Sequence, residues 1–140
     1  FVIGKNTGKL QNKAPKNVEI LDFVEKKEEW YGKATYYIHL PKYETGPITL
    51  LEAMTAGLIP ITNKNAGHHP LVEQVEKMLI LDAKNNPSET AKRIEGIMQM
   101  PRKEKQKISE TFKKQMKYHY GKKEMTEKFK EVWKKMVNER

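Results

Sequence analysis

Tyr43-Glu44-Thr45-Gly46-Pro47-Ile48-Thr49-Leu50-Leu51-Glu52-Ala53-Met54-Thr55-Ala56-Gly57 is the stretch on which the fold turns. It reads as a loop running into a buried helix. Pro47 suits the first helical position, where a missing N–H removes no intrahelical bond. Gly57 follows the last apolar residue and reads as a left-handed stop. Leu50, Leu51, Ala53 and Met54 are too apolar for a surface helix, so this one is expected to pack on a sheet. Its amino end carries unpaired N–H groups and partial positive charge, the makings of an anion site.

Glu44 and Glu52 lie eight positions apart. A helical rise of about 1.5 Å per residue puts them on the order of 10 Å from one another. A retaining glycosidase pair needs roughly 5–5.5 Å, so such a pair is excluded. Two acids at that spacing are better suited to hold the polar ends of one ligand, with a phosphate between them at the helix start. The plainer reading, one Glu favoured by the helix dipole and one solvated Glu, stands beside it on spacing alone.

The wider stretch adds information. Ala34–Glu44, then Leu51-Glu52-Ala53-Met54 and Gly57-Leu58-Ile59-Pro60-Ile61, resembles the donor-binding domain of retaining family 4 (group 1) glycosyltransferases of the GT-B fold. Their hallmark is a Glu, seven residues, a second Glu, Ala-Met, a Gly and a short buried strand. Asn17–Val24 fits the strand and loop that precede the donor pocket. The resemblance implies a Rossmann-like α/β fold: a doubly wound parallel sheet, helices on both faces, and C-terminal helices packed on it. It also implies that residues 1–140 are a nucleotide-sugar-binding domain. The acceptor domain and the first strand of this domain would then belong to a longer parent.

Composition bounds the function classes. The chain has 140 residues, 37% hydrophobic and 32% charged, which suits one solvated domain. No apolar run approaches the roughly 18 residues that suggest a membrane span. Zero cysteines exclude disulfides and thiolate metal sites. The net charge of +9 is concentrated in residues 101–140, where 14 Lys and Arg face six Glu. Such a basic end meets anionic lipid, nucleic acid or an acidic partner, or is simply the solvated face of lysine-rich helices. No nucleic-acid motif accompanies it, and no nucleic acid is expected as partner. The expected location is cytoplasmic, with peripheral contact at an anionic membrane surface.

Along the chain, strands are expected at Phe1–Ile3, Val18–Leu21, Tyr36–Leu40, Ile59–Thr62 and Met78–Leu81. The glycine-bearing connection between the first two is expected to be a loop. Helices are expected at Glu25–Gly32, from about Leu71, from Ser88 to about Met100, from Pro101 to Gly121, and beyond Gly121. In the last of these, Met125, Phe129, Val132, Trp133 and Met136 recur at three-and-four spacing, a stripe expected to be core rather than a partner groove. In the resembled family the terminal helices pack on the donor domain and can cross to the other domain, whose absence would leave part of the stripe exposed.

By resemblance, Glu44 is the candidate catalytic residue and holds the hydroxyls of the donor sugar, while Glu52 accepts from the ribose hydroxyls. Gly46, Ile48, Thr49 and Leu50 complete the donor set, through amides facing the distal phosphate and a Thr49 hydroxyl. Gly4, Val24, Lys42, Gly67 and His68 are candidates for the donor loops. The family has Gly-Phe-Gly where this chain has Thr45-Gly46-Pro47, and a second glycine where His68 stands. The Arg and Lys that neutralise the family's diphosphate are not assigned to residues here. The substrate implied is a nucleotide diphosphate sugar, of uridine or guanosine type, with no cofactor and no metal. His68 and His69 are adjacent, and neighbours in sequence seldom reach one ion. A nucleotide-sugar epimerase and a non-enzymatic basic module are the alternatives. The piece by itself is expected to bind donor weakly and not to turn over.

Overall fold

A computed structural model describes residues 1–138. These fall into two compact units, Phe1–Lys33 and a second from Ala34 onward.

In the first unit, β1 (Val2–Ile3) and β2 (Ile20–Leu21) pair in parallel. Their connection is not wholly irregular: Thr7–Lys13 winds as a 3-10 helix. Asn6, at positive φ, starts it, and the Asp22 carboxylate accepts from the Asn6 N–H at 2.8 Å. The short helix α1 (Lys27–Tyr31) follows. Trp30 meets Phe1 edge-on, with ring centroids 4.9 Å apart.

The second unit is built on three parallel strands in the order β3 (Tyr36–His39), β4 (Ile59–Asn63), β5 (Ile80–Leu81). β4 is central and buried throughout, as strands covered on both faces should be. A proline is rare in a central strand because it donates nothing to the ladder. Pro60 is tolerated for a local reason. The Ile59 N–H goes to Thr35 on the β3 side, so the next residue turns toward β5, whose pairing begins only at Thr62.

The strands are parallel and the class is Rossmann-like α/β, but they lie in two sheets.

Helix α2 (Ile48–Ala56) places Leu50, Ala53 and Met54 in the core, and it ends in a Schellman turn. There, Gly57 at φ 89° donates to Met54 and Leu58 donates to Ala53, each at 3.0 Å. α3 (His69–Val75) starts two residues earlier than expected, with Pro70 in its first turn. α4 (Pro87–Met98) is opened by a capping box, in which Asn86 and Glu89 satisfy one another's backbone N–H at 3.0 Å each. Successive side chains leave a strand on opposite faces. Tyr37 donates to Thr49 on α2, while Tyr36 donates to the carbonyl of Ile97 on α4, so helices serve both faces of β3.

α5 (Arg102–Tyr120) packs Ile108, Phe112 and Met116 against α2 and β4, and the Ser109 hydroxyl donates to the Gly57 carbonyl at 2.6 Å. α6 (Lys122–Asn138) behaves otherwise. It contacts α5 but buries none of its residues. Its apolar stripe, expected to be core, is exposed, because the core is already closed by α5.

Candidate functional site

The carboxyl ends of β3 and β4 are where a doubly wound sheet presents ligands. Both chains leave there as loops, and the two loops are tied to each other. The Glu44 N–H donates to Asn65 at 3.0 Å, and the Gly67 N–H donates to the Glu44 carbonyl at 2.7 Å. The buried Asn63 anchors this junction. Its amide donates to the Pro41 carbonyl at 3.1 Å, and its side-chain oxygen accepts from the Asn65 N–H at 3.0 Å. Gly67 is required here by contact: a Cβ on it would stand 1.7 Å from the Thr45 carbonyl oxygen.

This tie fixes Glu44 just ahead of α2. Its carboxylate meets His39 Nε2 at 2.9 Å. His39 and Tyr37 alternate along β3, so both project from one face. Their rings lie nearly parallel with centroids 6.1 Å apart. The Tyr37 hydroxyl donates to Thr49 Oγ1 at 2.8 Å, in the first turn of α2. Glu52 stands three residues beyond Thr49, hence on the same side of the helix. It is half-buried. A continuous polar line thus runs Glu44, His39, Tyr37, Thr49, with Glu52 one turn deeper.

The mouth of α2 differs in detail from the expected one. Pro47 is fully buried and caps the helix from outside, one position earlier than its expected place. The first N–H groups of a helix lack intrahelical acceptors. Leu50 nonetheless donates back to Pro47 at 3.0 Å, and its side chain is buried, so it offers no amide to a ligand. The amides of Ile48 and Thr49 are those left at the mouth. Ile48 is 68% exposed, and Gly46 in front of it is exposed too.

Of the candidate donor-loop residues, Gly67 and His68 reach this mouth. His68 Nε2 lies 4.0 Å from where a Cβ on Gly46 would be. His69 turns away, with Nδ1 2.9 Å from the Ala66 carbonyl. Lys42 lines a separate cleft of about 280 Å³ at the strand ends, with Asn63, Asn65 and Asp82. Gly4 and Val24 belong to the first unit, where the Gly4 carbonyl accepts from Thr7. No three His, Cys, Asp or Glu among the described residues are grouped to hold a metal ion. No helix among them is long and apolar enough to cross a membrane.

The family model of the group 1 glycosyl transferases matches residues 6–136. The chain belongs to that family. No curated protein matches it.

In this group 1 glycosyltransferase chain, the sequence left two neighbours of the acids unassigned. Tyr37 and His39 stand on the site face of β3, and each bonds a residue that had been singled out. The signal for them was present: two polar aromatics at strand spacing, directly before the Glu44 loop. Asn63 and Asn65 were also missed, because what they do is hold the loop backbone.

Proposed function

We propose that this chain binds the donor of a retaining glycosyltransferase, a nucleotide diphosphate sugar, at the mouth of α2. The observation that carries the proposal is the joining of Glu44 to His39 and of Tyr37 to Thr49 around that mouth, at 2.9 and 2.8 Å. The diphosphate receives N–H groups from Ile48 and Thr49 and the positive end of the helix. Glu44 accepts from the hydroxyls of the sugar and Glu52 from those of the ribose. His39 orients the Glu44 carboxylate through its Nε2 at 2.9 Å.

In transfer, negative charge grows on the departing nucleoside diphosphate as the anomeric bond breaks. Fixed dipoles at a helix start stabilise that charge without reorganising. No metal is called for in this scheme. The acceptor oxygen bonds the anomeric carbon on the face the diphosphate leaves, its proton passing to the departing diphosphate oxygen, so the anomeric configuration is kept. Hydrogen bonds to a charged group contribute about 1.5–3 kcal/mol each, so losing one weakens binding by roughly ten- to a hundredfold.

A ligand-observed NMR screen of uridine and guanosine diphosphate sugars tests this, run on the chain and on Glu52→Ala. The expected result is binding of one donor type, with affinity lowered at least tenfold in the variant. Equal affinity in both would remove the ribose role of Glu52. Binding of none of them would remove the donor site.

A further inference from the structure

β3, β4 and β5 run parallel, so the loops that leave them emerge at one end of the sheet. Between those loops lies the cleft of about 280 Å³ that Lys42 lines, a space the donor reading does not use. Leu40, Pro41 and the buried Leu81 give it an apolar wall. Its polar side chains come from separate segments: Lys42 after β3, Asn65 after β4, Asp82 and Asn85 after β5, and Thr90 in α4. Among the described residues, none hydrogen-bonds the side chains of Lys42, Asn65, Asn85 or Thr90, and no ion pair joins Lys42 to Asp82. These groups are free for a ligand, yet the rim that carries them is held. The buried Asn63 side chain spans two of the loops, donating to the Pro41 carbonyl and accepting from the Asn65 N–H. Asp82 is fixed by its own turn: Oδ1 accepts from the Lys84 N–H at 2.9 Å, and its carbonyl accepts from the Asn85 N–H at 3.2 Å. The cleft adjoins Glu44, whose N–H donates to the Asn65 carbonyl at 3.0 Å.

We propose that this cleft holds a neutral sugar ring of the acceptor, next to the donor sugar on Glu44; the acceptor role rests on the donor reading of the α2 mouth. Charge, chemistry and size select this occupant. One ammonium and one carboxylate cancel, so neither a phosphate nor a cation is favoured. Amides and a hydroxyl both donate and accept, as the hydroxyls of a sugar do, while Lys42 donates and Asp82 accepts. Leu40, Pro41 and Leu81 face the C–H side that a sugar ring presents between its hydroxyls. The volume falls just under the roughly 300–1,000 Å³ of clefts that take drug-sized ligands, so a single ring suits it.

The test is amide shift mapping of the full chain with methyl glycosides of glucose, galactose, mannose and N-acetylglucosamine as probes. At least one is expected to shift Asn65, Asp82 and Asn85 and to leave Ile48 and Thr49 still. Asp82→Asn keeps an oxygen for the Lys84 N–H and removes the charge. It is expected to weaken glycoside binding about tenfold or more, with the thermal midpoint and the affinity for donor unchanged. Asn85→Ala, which leaves the charges in place, is expected to weaken glycoside binding as well. Binding of no glycoside, shifts at the α2 mouth alone, or equal affinity in both variants would overturn the proposal. So would inorganic phosphate shifting the same amides in competition with the glycoside, since the cleft would then be an anion site. Nucleotide sugars added to the same samples report the donor reading at Gly46, Ile48 and Thr49. Silence there with glycoside binding intact would overturn the acceptor role and leave a sugar site.

Discussion

His39 and Glu44 show how a site residue is set by its neighbour. The carboxylate is 42% exposed and the ring 21%, so water screens their contact and it adds at most about 1 kcal/mol to folding. Its effect is on direction. With Nε2 at 2.9 Å, the Glu44 carboxylate is turned toward the β3 face where Tyr37 meets Thr49. His39→Phe keeps a ring beside Tyr37 and removes the nitrogen. The expected outcome is an unchanged urea midpoint and a several-fold loss of donor affinity in a titration. A fall in stability with affinity intact would make the pair structural only.

At the scale of elements, the tie between the loops after β3 and β4 is the part that sequence patterns conceal. Gly67 donates to the Glu44 carbonyl and has no room for a side chain against Thr45. Gly67→Ala forces the two loops apart, at a cost of roughly 1–3 kcal/mol. Thermal unfolding is expected to show that loss, and Glu44 chemistry is expected to suffer beyond it. Helix α2 was legible because Gly46-Pro47 and Gly57 punctuate a run too apolar to be exposed. The Leu50 amide was misjudged, since a backward bond to Pro47 leaves no mark in residue types. α6 was misjudged for a different reason. Three-and-four spacing reports that a helix has an apolar face, but it does not say whether anything packs on that face.

For the molecule as a whole, the core gathers around β4, α2 and α5, with Leu50, Met54, Ile61 and Phe112 fully buried. The parallel α/β class was readable from short apolar strands alternating with helices. The division into two sheets was not, because strand edges pair through backbone groups that every residue shares. The excess of basic charge beyond residue 100 was plain in composition. The core leaves the α2 mouth open, with Gly46 and Ile48 exposed above the buried Pro47. The measurement that bears most directly on the donor site is amide chemical-shift mapping of the isotope-labelled chain. It is titrated with uridine diphosphate glucose and guanosine diphosphate mannose. With the donor that binds, the largest shifts are predicted at Gly46, Ile48 and Thr49 and around Glu52. Shifts confined to the Lys42 cleft or to the first unit, with the α2 mouth silent, would contradict a diphosphate seated there.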